Sequence, residues 1–392
     1  MNLRYLLLPA LIYGVPNALA FFVFLYLGVI LVDTIPVVVA LDWVGMMLVF
    51  CVFVVTFLAV LFITYRCANW FDINKSCRVP YLVGVFVFLL QVLTFFVALY
   101  YDFGRVGAKD VHVNGFALIV SYVKADFVFM IYYGHVRGAR LPWANLGLYV
   151  ISNVFRGWSS VWMVLVFVEV YCFLRKNKYK IPYAKLSVIF LLVMVAYPWI
   201  NGLKESFRGG EGDYGYVESY FRLFNRLQHV SNVILIAQEA SSIESSVSDK
   251  AVLPWYMFNT FLTNVVGLKG DPLQKYITKE YLLDRGDGIY YGDEYSWFTH
   301  VGVSGWLFLI GWYEWPLYIL VVLFLLIVPY KIAKNYLRAY SMVPVLHVAT
   351  FLYVLHGWLE VQVQFILAML GYLVVVKLID YFNFNLALSL KN

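Results

Sequence analysis

The segment WVGMMLVFCVFVVTFLAVLFITY, from Trp43 to Tyr65, is 23 consecutive residues without a charged side chain. About 20 apolar residues span the hydrocarbon core of a bilayer as a helix, so this segment predicts a transmembrane helix. The whole chain of 392 residues has the same character, since 63% of its residues are hydrophobic and 13% are charged. A soluble domain carries roughly 25% charged residues, and disorder requires low hydrophobicity with high charge. Both classes are excluded, and the chain is predicted to be a membrane protein.

Apolar runs on both sides of this segment predict ten helices in all. They are Tyr5–Leu31, Trp43–Tyr65, Tyr81–Tyr100, Gly115–Tyr133, Leu141–Phe155, Trp158–Leu174, Ala184–Leu203, Val303–Tyr330, Met342–Trp358 and Gln362–Leu378. The predicted fold is an all-α polytopic membrane protein with about ten transmembrane helices and one large, mostly helical periplasmic loop. Its parts are residues 1–203 with helices one to seven, residues 204–302 as the periplasmic loop, and residues 303–392 with helices eight to ten and a cytoplasmic tail.

The positions of lysine and arginine predict the orientation, because these residues concentrate in short cytoplasmic loops. Clusters follow the second, fourth, sixth and eighth predicted helices, which places both termini in the cytoplasm. For all these clusters to lie on one side of the membrane, Leu141–Leu174 must be two short helices that meet near Arg156. A single crossing would move the cluster from Arg175 to Lys180 to the opposite side.

The predicted periplasmic loop is the one long polar stretch of the sequence. Residues 204–302 hold nine Lys or Arg against thirteen Asp or Glu, a net charge of −4 in a chain of net charge +6. The remainder of the chain therefore carries +10, which fits the cytoplasmic bias of membrane proteins and attraction to anionic lipid. Nucleic-acid binding is not expected.

This loop contains two arginines and a histidine spaced four and three positions apart. Arg222, Arg226 and His229 fall on one face of a helix predicted over Tyr214–Ala240. Two guanidinium groups one turn apart can grip a phosphate or diphosphate, so these residues are candidates for a diphosphate site. In the alternative reading this is a solvated face on which Glu218 pairs with Arg222.

Arg156 and His300 are the candidate catalytic residues. Arg156 interrupts an apolar stretch, where a charge costs at least ~2–3 kcal/mol at mid-membrane. It therefore faces either a polar cavity or, by snorkelling, the interface. His300 lies where the loop returns to the membrane, and can act there as a base or hydrogen-bond donor. A histidine bonded to a backbone carbonyl is the equally open alternative.

Two other charges in the apolar segments predict structural pairing. Lys124 and Asp126 interrupt the fourth helix on different faces, so each needs a partner on another helix. Glu314 is predicted near the inner part of the eighth helix. The acids Asp284, Asp287, Asp293 and Glu294 do not match a calcium loop, and no nucleotide motif is present. No metal and no cofactor are expected.

The chain resembles the O-antigen polymerases (Wzy) of bacterial surface-polysaccharide assembly. The resemblance covers the whole chain as architecture: many spans, one large loop in the second half, and arginines on the periplasmic side. Three local patterns carry it, namely SNVFRG at Ser152–Gly157, the arginine-rich helix with Arg222–His229, and THVGVSGWLFLIG at Thr299–Gly311.

This resemblance implies a metal-independent GT-C-type glycosyltransferase of the bacterial inner membrane. The substrate would be an undecaprenyl-diphosphate-linked oligosaccharide, whose growing glycan passes to the non-reducing sugar of an incoming lipid-linked repeat unit. Arg156, Arg222 and Arg226 would stabilise the leaving diphosphate, and His300 or His229 would serve the acceptor hydroxyl. A chain-length regulator protein is a possible partner.

Two alternatives remain open. One is an O-antigen ligase, although the His-Asn pair of ligases is not matched, because Val301 follows His300. The other is a lipid-linked oligosaccharide flippase or other transporter, which is not an enzyme.

Overall fold

The computed structural model describes residues 10–32, 35–71, 79–101, 115–116, 120, 123–136, 143–156, 160–176, 183–207, 216–247, 277 and 301–389. Within these ranges most of the chain is helical, and the chain divides into two compact units. The first is Met1–Arg66, Tyr216–Ile327 and Thr350–Val363, and the second is Cys67–Gly215, Val328–Ala349 and Gln364–Asn392. The predicted division at 203 and 302 concerns sides of a membrane and stays a prediction.

The α-helices are α1 (Val15–Leu27), α2 (Trp43–Ala68), α3 (Tyr81–Tyr101), α4 (Ala125–Val136), α5 (Trp143–Phe155), α6 (Ser160–Lys176), α7 (Tyr183–Phe207), α8 (Tyr216–Leu227), α9 (Val230–Val247), α10 (Gly302–Leu309), α11 (Trp315–Ile332), α12 (Val343–Ala349) and α13 (Leu359–Ser389). Short π-helices adjoin them at Ala10–Gly14, Ala333–Leu337 and Thr350–Leu355, and a 3₁₀ turn lies at Tyr340–Met342. Two strands, β1 (Val29–Val32) and β2 (Ile35–Val38), follow α1.

Five described helical segments are long and apolar enough to cross a membrane. They are Ala10–Leu27, Trp43–Ala68, Tyr81–Tyr101, Trp315–Leu337 and Leu359–Asn383. Large apolar side chains on their outer surfaces, such as Leu48, Val55 and Phe62, are more than half exposed. Helices that are apolar all round suit a lipid surrounding. The expectation of a helical membrane protein is confirmed in this coarse form, while ten crossings, the orientation and the periplasmic loop stay predictions.

The eighth predicted helix, Val303–Tyr330, is wrong as a single helix. Helix α10 ends at Leu309, and α11 begins at Trp315. The break closes as a turn in which the Glu314 N–H donates to the Gly311 carbonyl over 2.8 Å. Glu314 therefore lies between two helices rather than inside one, and the span is Trp315–Leu337.

The first predicted helix ends earlier than expected, and a hairpin replaces its last residues. Gly28 adopts φ 66° and caps α1, its N–H donating to the Phe24 carbonyl over 2.9 Å. Glycine takes this left-handed conformation without a steric penalty. The strands then pair antiparallel, with Val29 opposite Val38. The apolar sequence alone had predicted helix to Leu31.

Helix α9 forms the centre of the first unit. It packs against α10, α1 and β1, and its residues Val230, Val233 and Ile234 are completely buried. Two glutamine side chains tie this segment to the hairpin: Gln228 donates to the Leu31 carbonyl over 2.9 Å, and Gln238 accepts from the Ala40 N–H over 2.8 Å. Helix α9, which belongs to the predicted loop, is thus part of the core of the first unit.

Two glycines bring α10 against the turn that precedes α13. Gly302 has φ 68° and Gly357 has φ 77°. A Cβ atom on Gly357 would lie 2.3 Å from the Gly302 nitrogen, so the two backbones meet without room for a side chain. This contact fixes the start of α10 beside His356, the residue that precedes Gly357.

The second unit packs α3 against α4 and α5, and α12 against α6 and α4. The predicted pair of short helices within Leu141–Leu174 is confirmed, because α5 ends at Phe155 and α6 begins at Ser160. Close packing again depends on glycine: a Cβ on Gly134 would lie 2.8 Å from side-chain atoms of both Met342 and Val345.

Candidate functional site

Asn17 is a buried polar residue in an otherwise apolar first span. Its Oδ1 accepts hydrogen bonds from the backbone N–H groups of His229 (2.6 Å) and Val230 (2.8 Å). Its Nδ2 donates to the carbonyls of Tyr13 (2.7 Å) and Leu227 (3.1 Å). A helix start leaves backbone N–H groups without partners in the helix. Asn17 therefore caps α9 from another segment, and holds the connection between α8 and α9 in place.

The connection held by Asn17 carries His229 into a chain of polar side chains. Nε2 of His229 is in hydrogen-bond contact with Nδ1 of His356. Nε2 of His356 is in turn 2.9 Å from the Tyr13 hydroxyl. All three rings are buried, with exposed fractions of 4% for Tyr13 and 7% for each histidine. We call this Tyr13–His356–His229 arrangement the histidine chain.

His229 ends the histidine chain with one ring nitrogen unused. Its Nδ1 is buried and has no hydrogen-bond partner among the residues that the structure describes. His229 lies outside the five apolar spans, and its burial lowers its pKa from 6.5 to about 4. The ring is therefore neutral near pH 7, with one nitrogen protonated and the other able to accept a proton.

A small pocket adjoins the histidine chain. Its lining is formed by Tyr13, Asn17, Phe53, Thr56, Phe57, His229, Val303, Ser304 and Leu355. The pocket is partly open, and its space for water-sized groups is of the order of one or two water molecules. Its polar groups are neutral, and no Lys or Arg is among the described residues that line it. Such a pocket accommodates a hydroxyl group better than a charged phosphate.

The predicted common face of Arg222, Arg226 and His229 is wrong for His229. Arg222 and Arg226 lie in α8, one turn apart as predicted, but that helix ends at Leu227. His229 follows in the connection, because its N–H donates to Asn17 and not to the preceding turn of helix. It is buried in the first unit and does not continue the surface of α8.

In the second unit the buried Arg156 forms a polar cluster with Asp126, whose side chain is 33% exposed. Nη2 of Arg156 lies 2.7 and 2.8 Å from the two carboxylate oxygens of Asp126, and 2.9 Å from Oδ1 of Asn153. Asn153 also donates to Asp126 over 3.0 Å. The expectation that Asp126 pairs with another helix is confirmed. The Arg156 side chain is 8% exposed, and its charge is balanced by Asp126.

The remaining predicted positions lie in or near the segment between α9 and α10. His300 and the acids at 284, 287, 293 and 294 lie outside the described residues. Within the described part of the chain, no group of three or more His, Cys, Asp or Glu could hold a metal. The expectation of no metal and no cofactor stays a prediction.

Sequence reasoning missed Tyr13, Asn17 and His356. A signal was present for two of them: Asn17 is a lone amide in the apolar run Ala10–Leu27, and His356 precedes a glycine at the end of a predicted span. Polar groups in apolar spans are costly and have specific partners. The partners themselves could not be read from the sequence, since the Tyr13–His356 contact joins residues 343 positions apart.

Comparison with protein-family models, curated proteins and solved structures found no match.

Proposed function

We propose that this protein polymerises lipid-linked oligosaccharide repeat units in the bacterial inner membrane. In the proposed reaction the growing glycan is transferred from undecaprenyl diphosphate to the non-reducing sugar of an incoming lipid-linked repeat unit. The observation that carries the proposal is the histidine chain, a buried set of acid–base groups beside a pocket in a helical membrane protein. Glycosyl transfer to a hydroxyl requires such a group to receive the hydroxyl proton.

The leaving diphosphate needs cations, and α8 supplies candidates. Arg222 and Arg226 are one turn apart on this helix. Guanidinium groups stabilise phosphate charge without a metal. The proposal assigns these two residues to the donor diphosphate, and His300 or His229 to the acceptor hydroxyl. Arg156 is assigned to developing charge, with Asp126 and Asn153 fixing its orientation.

A transporter of lipid-linked oligosaccharide is the second candidate. The observation in its favour is the same histidine chain, because buried polar chains in transporters relay protons. An O-antigen ligase shares the donor and differs in the acceptor. The product of the reaction separates all three.

The proposal is tested first in a host strain deleted for this gene. Arg222→Ala, Arg226→Ala and Arg156→Ala are expected to abolish long surface polysaccharide while single repeat units still reach the surface. Lys334→Ala is the matched control, since this exposed cation lies outside both polar clusters. Protein amounts in the membrane are measured in parallel. Wild-type chain lengths in all three arginine variants would contradict the assigned roles.

The second test uses purified protein in proteoliposomes. The substrate is the undecaprenyl-diphosphate-linked oligosaccharide that accumulates in the deleted strain. A ladder of joined repeat units without ATP and with EDTA present is the expected product. Movement of the lipid-linked unit across the bilayer without a ladder would support the transporter instead.

A further inference from the structure

The histidine chain contains two acid–base groups, Tyr13 and His356, besides His229. Tyr13 and His356 are assigned no role by the sequence patterns, and each is buried in the first unit. The histidine chain joins the first membrane span, the turn before α13 and the α8–α9 connection. Groups from three distant segments meet at one place. The series of hydrogen bonds ends at Nδ1 of His229, a buried nitrogen without a hydrogen-bond partner among the described residues.

We propose that His229 and His356 form a two-histidine relay that accepts the proton of the acceptor sugar hydroxyl, with Tyr13 stabilising the protonated form. The inference rests on the proposed function and identifies the base for that reaction. His229 is the catalytic residue, because its free nitrogen is the one that can meet the hydroxyl. His356 and Tyr13 are positioning residues that act through it.

The hydrogen-bond pattern sets the order of the proton transfers. When His229 donates through Nε2 to Nδ1 of His356, and His356 donates through Nε2 to the Tyr13 oxygen, Nδ1 of His229 is an acceptor. The hydroxyl oxygen forms the new bond to the anomeric carbon as its proton passes to this nitrogen. The Nε2 proton of His229 then moves to Nδ1 of His356.

These transfers leave the positive charge on His356 and balance the reaction. The bond between the anomeric carbon and the diphosphate oxygen breaks, and its electron pair leaves with the diphosphate. The Tyr13 oxygen accepts a hydrogen bond from the protonated His356. After the products leave, the reverse transfer through His229 releases the proton from Nδ1 to water, while the diphosphate departs as its anion. No oxidant, reductant or metal is consumed.

The pocket fits the part of the substrate that the relay would meet. Its size admits one hydroxyl group and not a whole sugar ring, so the ring would remain outside while one hydroxyl points inward. The neutral lining, with Thr56 and Ser304 as its hydroxyl groups, disfavours the diphosphate at this position. The relay thus serves the acceptor, and the donor diphosphate stays with Arg222 and Arg226 in the proposed function.

Tyr13→Phe is the sharpest test, because the ring stays and one oxygen is lost. The assay measures the initial rate of joining two repeat units by purified protein in proteoliposomes, with the oligosaccharide lipid from the deleted strain. Since a hydrogen bond to a charged group is involved, we expect kcat to fall about 10–100-fold with KM within about twofold. His356→Gln should lower kcat by about 100-fold or more, the range of general acid–base catalysis.

Tyr318→Phe is the matched control. Tyr318 is equally buried in the first unit, and its hydroxyl donates to the Val303 carbonyl over 2.9 Å. Among the described residues it has no hydrogen bond to a histidine. It should keep kcat within about threefold of wild type. The solvent deuterium isotope effect on kcat, expected in wild type, should change in Tyr13→Phe and not in Tyr318→Phe.

The outcomes separate the relay from the proposed function. A wild-type ladder with Tyr13→Phe within threefold of wild type overturns the relay and leaves the polymerase. An equal loss in Tyr318→Phe shows a packing effect and also overturns the relay. Absence of any ladder from wild-type protein overturns the polymerase, and the relay with it.

Discussion

Replacing Asn17 by alanine should destabilise the protein strongly, although the change is small and lies in an apolar helix. The side chain makes four hydrogen bonds, two as acceptor from His229 and Val230 and two as donor to Tyr13 and Leu227. Each contributes roughly 1 kcal/mol net, and more where a buried partner is left unsatisfied. The expected loss in the free energy of unfolding is therefore about 4 kcal/mol, at the upper end for a single substitution.

The assay is unfolding of the purified protein by SDS in mixed micelles, followed by tryptophan fluorescence. Thr94→Val is the matched control, because the half-buried Thr94 hydroxyl makes one hydrogen bond, to the Leu90 carbonyl over 3.0 Å. Its loss should cost about 1 kcal/mol or less. If Asn17→Ala came within about 1 kcal/mol of wild type, Asn17 would not be the cap that separates α8 from α9, and the placement of His229 would lose its basis.

Two further predictions concern the same unit. Gly357→Ala should lower the free energy of unfolding by more than about 2 kcal/mol, since the new Cβ would lie 2.3 Å from the Gly302 nitrogen at a positive φ. Gly371→Ala is the control, because open space surrounds this glycine, and it should be neutral or slightly stabilising. Equal stability of both variants in the SDS assay would contradict the Gly302–Gly357 contact. Because burial lowers the pKa of His229 from 6.5 to about 4, the unfolded chain binds the proton more readily between these values, so stability should fall as the pH is lowered, by about 2 kcal/mol from pH 7 to pH 5. His229→Gln should reduce that slope, and an unchanged slope in unfolding titrations at several pH values would refute the assignment.

The long spans could be predicted from the sequence because apolar length is a local property. The predicted helix Trp43–Tyr65 is observed as Trp43–Ala68, and Tyr81–Tyr100 as Tyr81–Tyr101. The breaks could not be predicted in the same way. The hairpin after Gly28 is as apolar as the helix before it, and the break after Leu227 depends on Asn17, more than 200 residues earlier.

The candidate site shows the same division between local and distant information. Lone polar residues such as Asp126 and Arg156 could be recognised in apolar segments, but their mutual pairing depends on how α4 packs near the end of α5. The sequence placed Arg156 at a polar cavity or at the interface, and gave no sign that Asp126 balances its charge. His356 was overlooked because a single histidine at a span end is unremarkable until its neighbours, Tyr13 and His229, are known.

The capping of α9 by Asn17 also has a consequence for the order of events during synthesis. Its partners at Leu227, His229 and Val230 follow it by 210 to 213 positions in the chain. At about 5–20 residues per second, the ribosome needs roughly 10–40 s to make that intervening chain. Throughout this interval the first span carries an amide whose three distant partners do not yet exist. This span is thus made well before it is completed, and its stable position depends on residues more than 200 positions further along the chain.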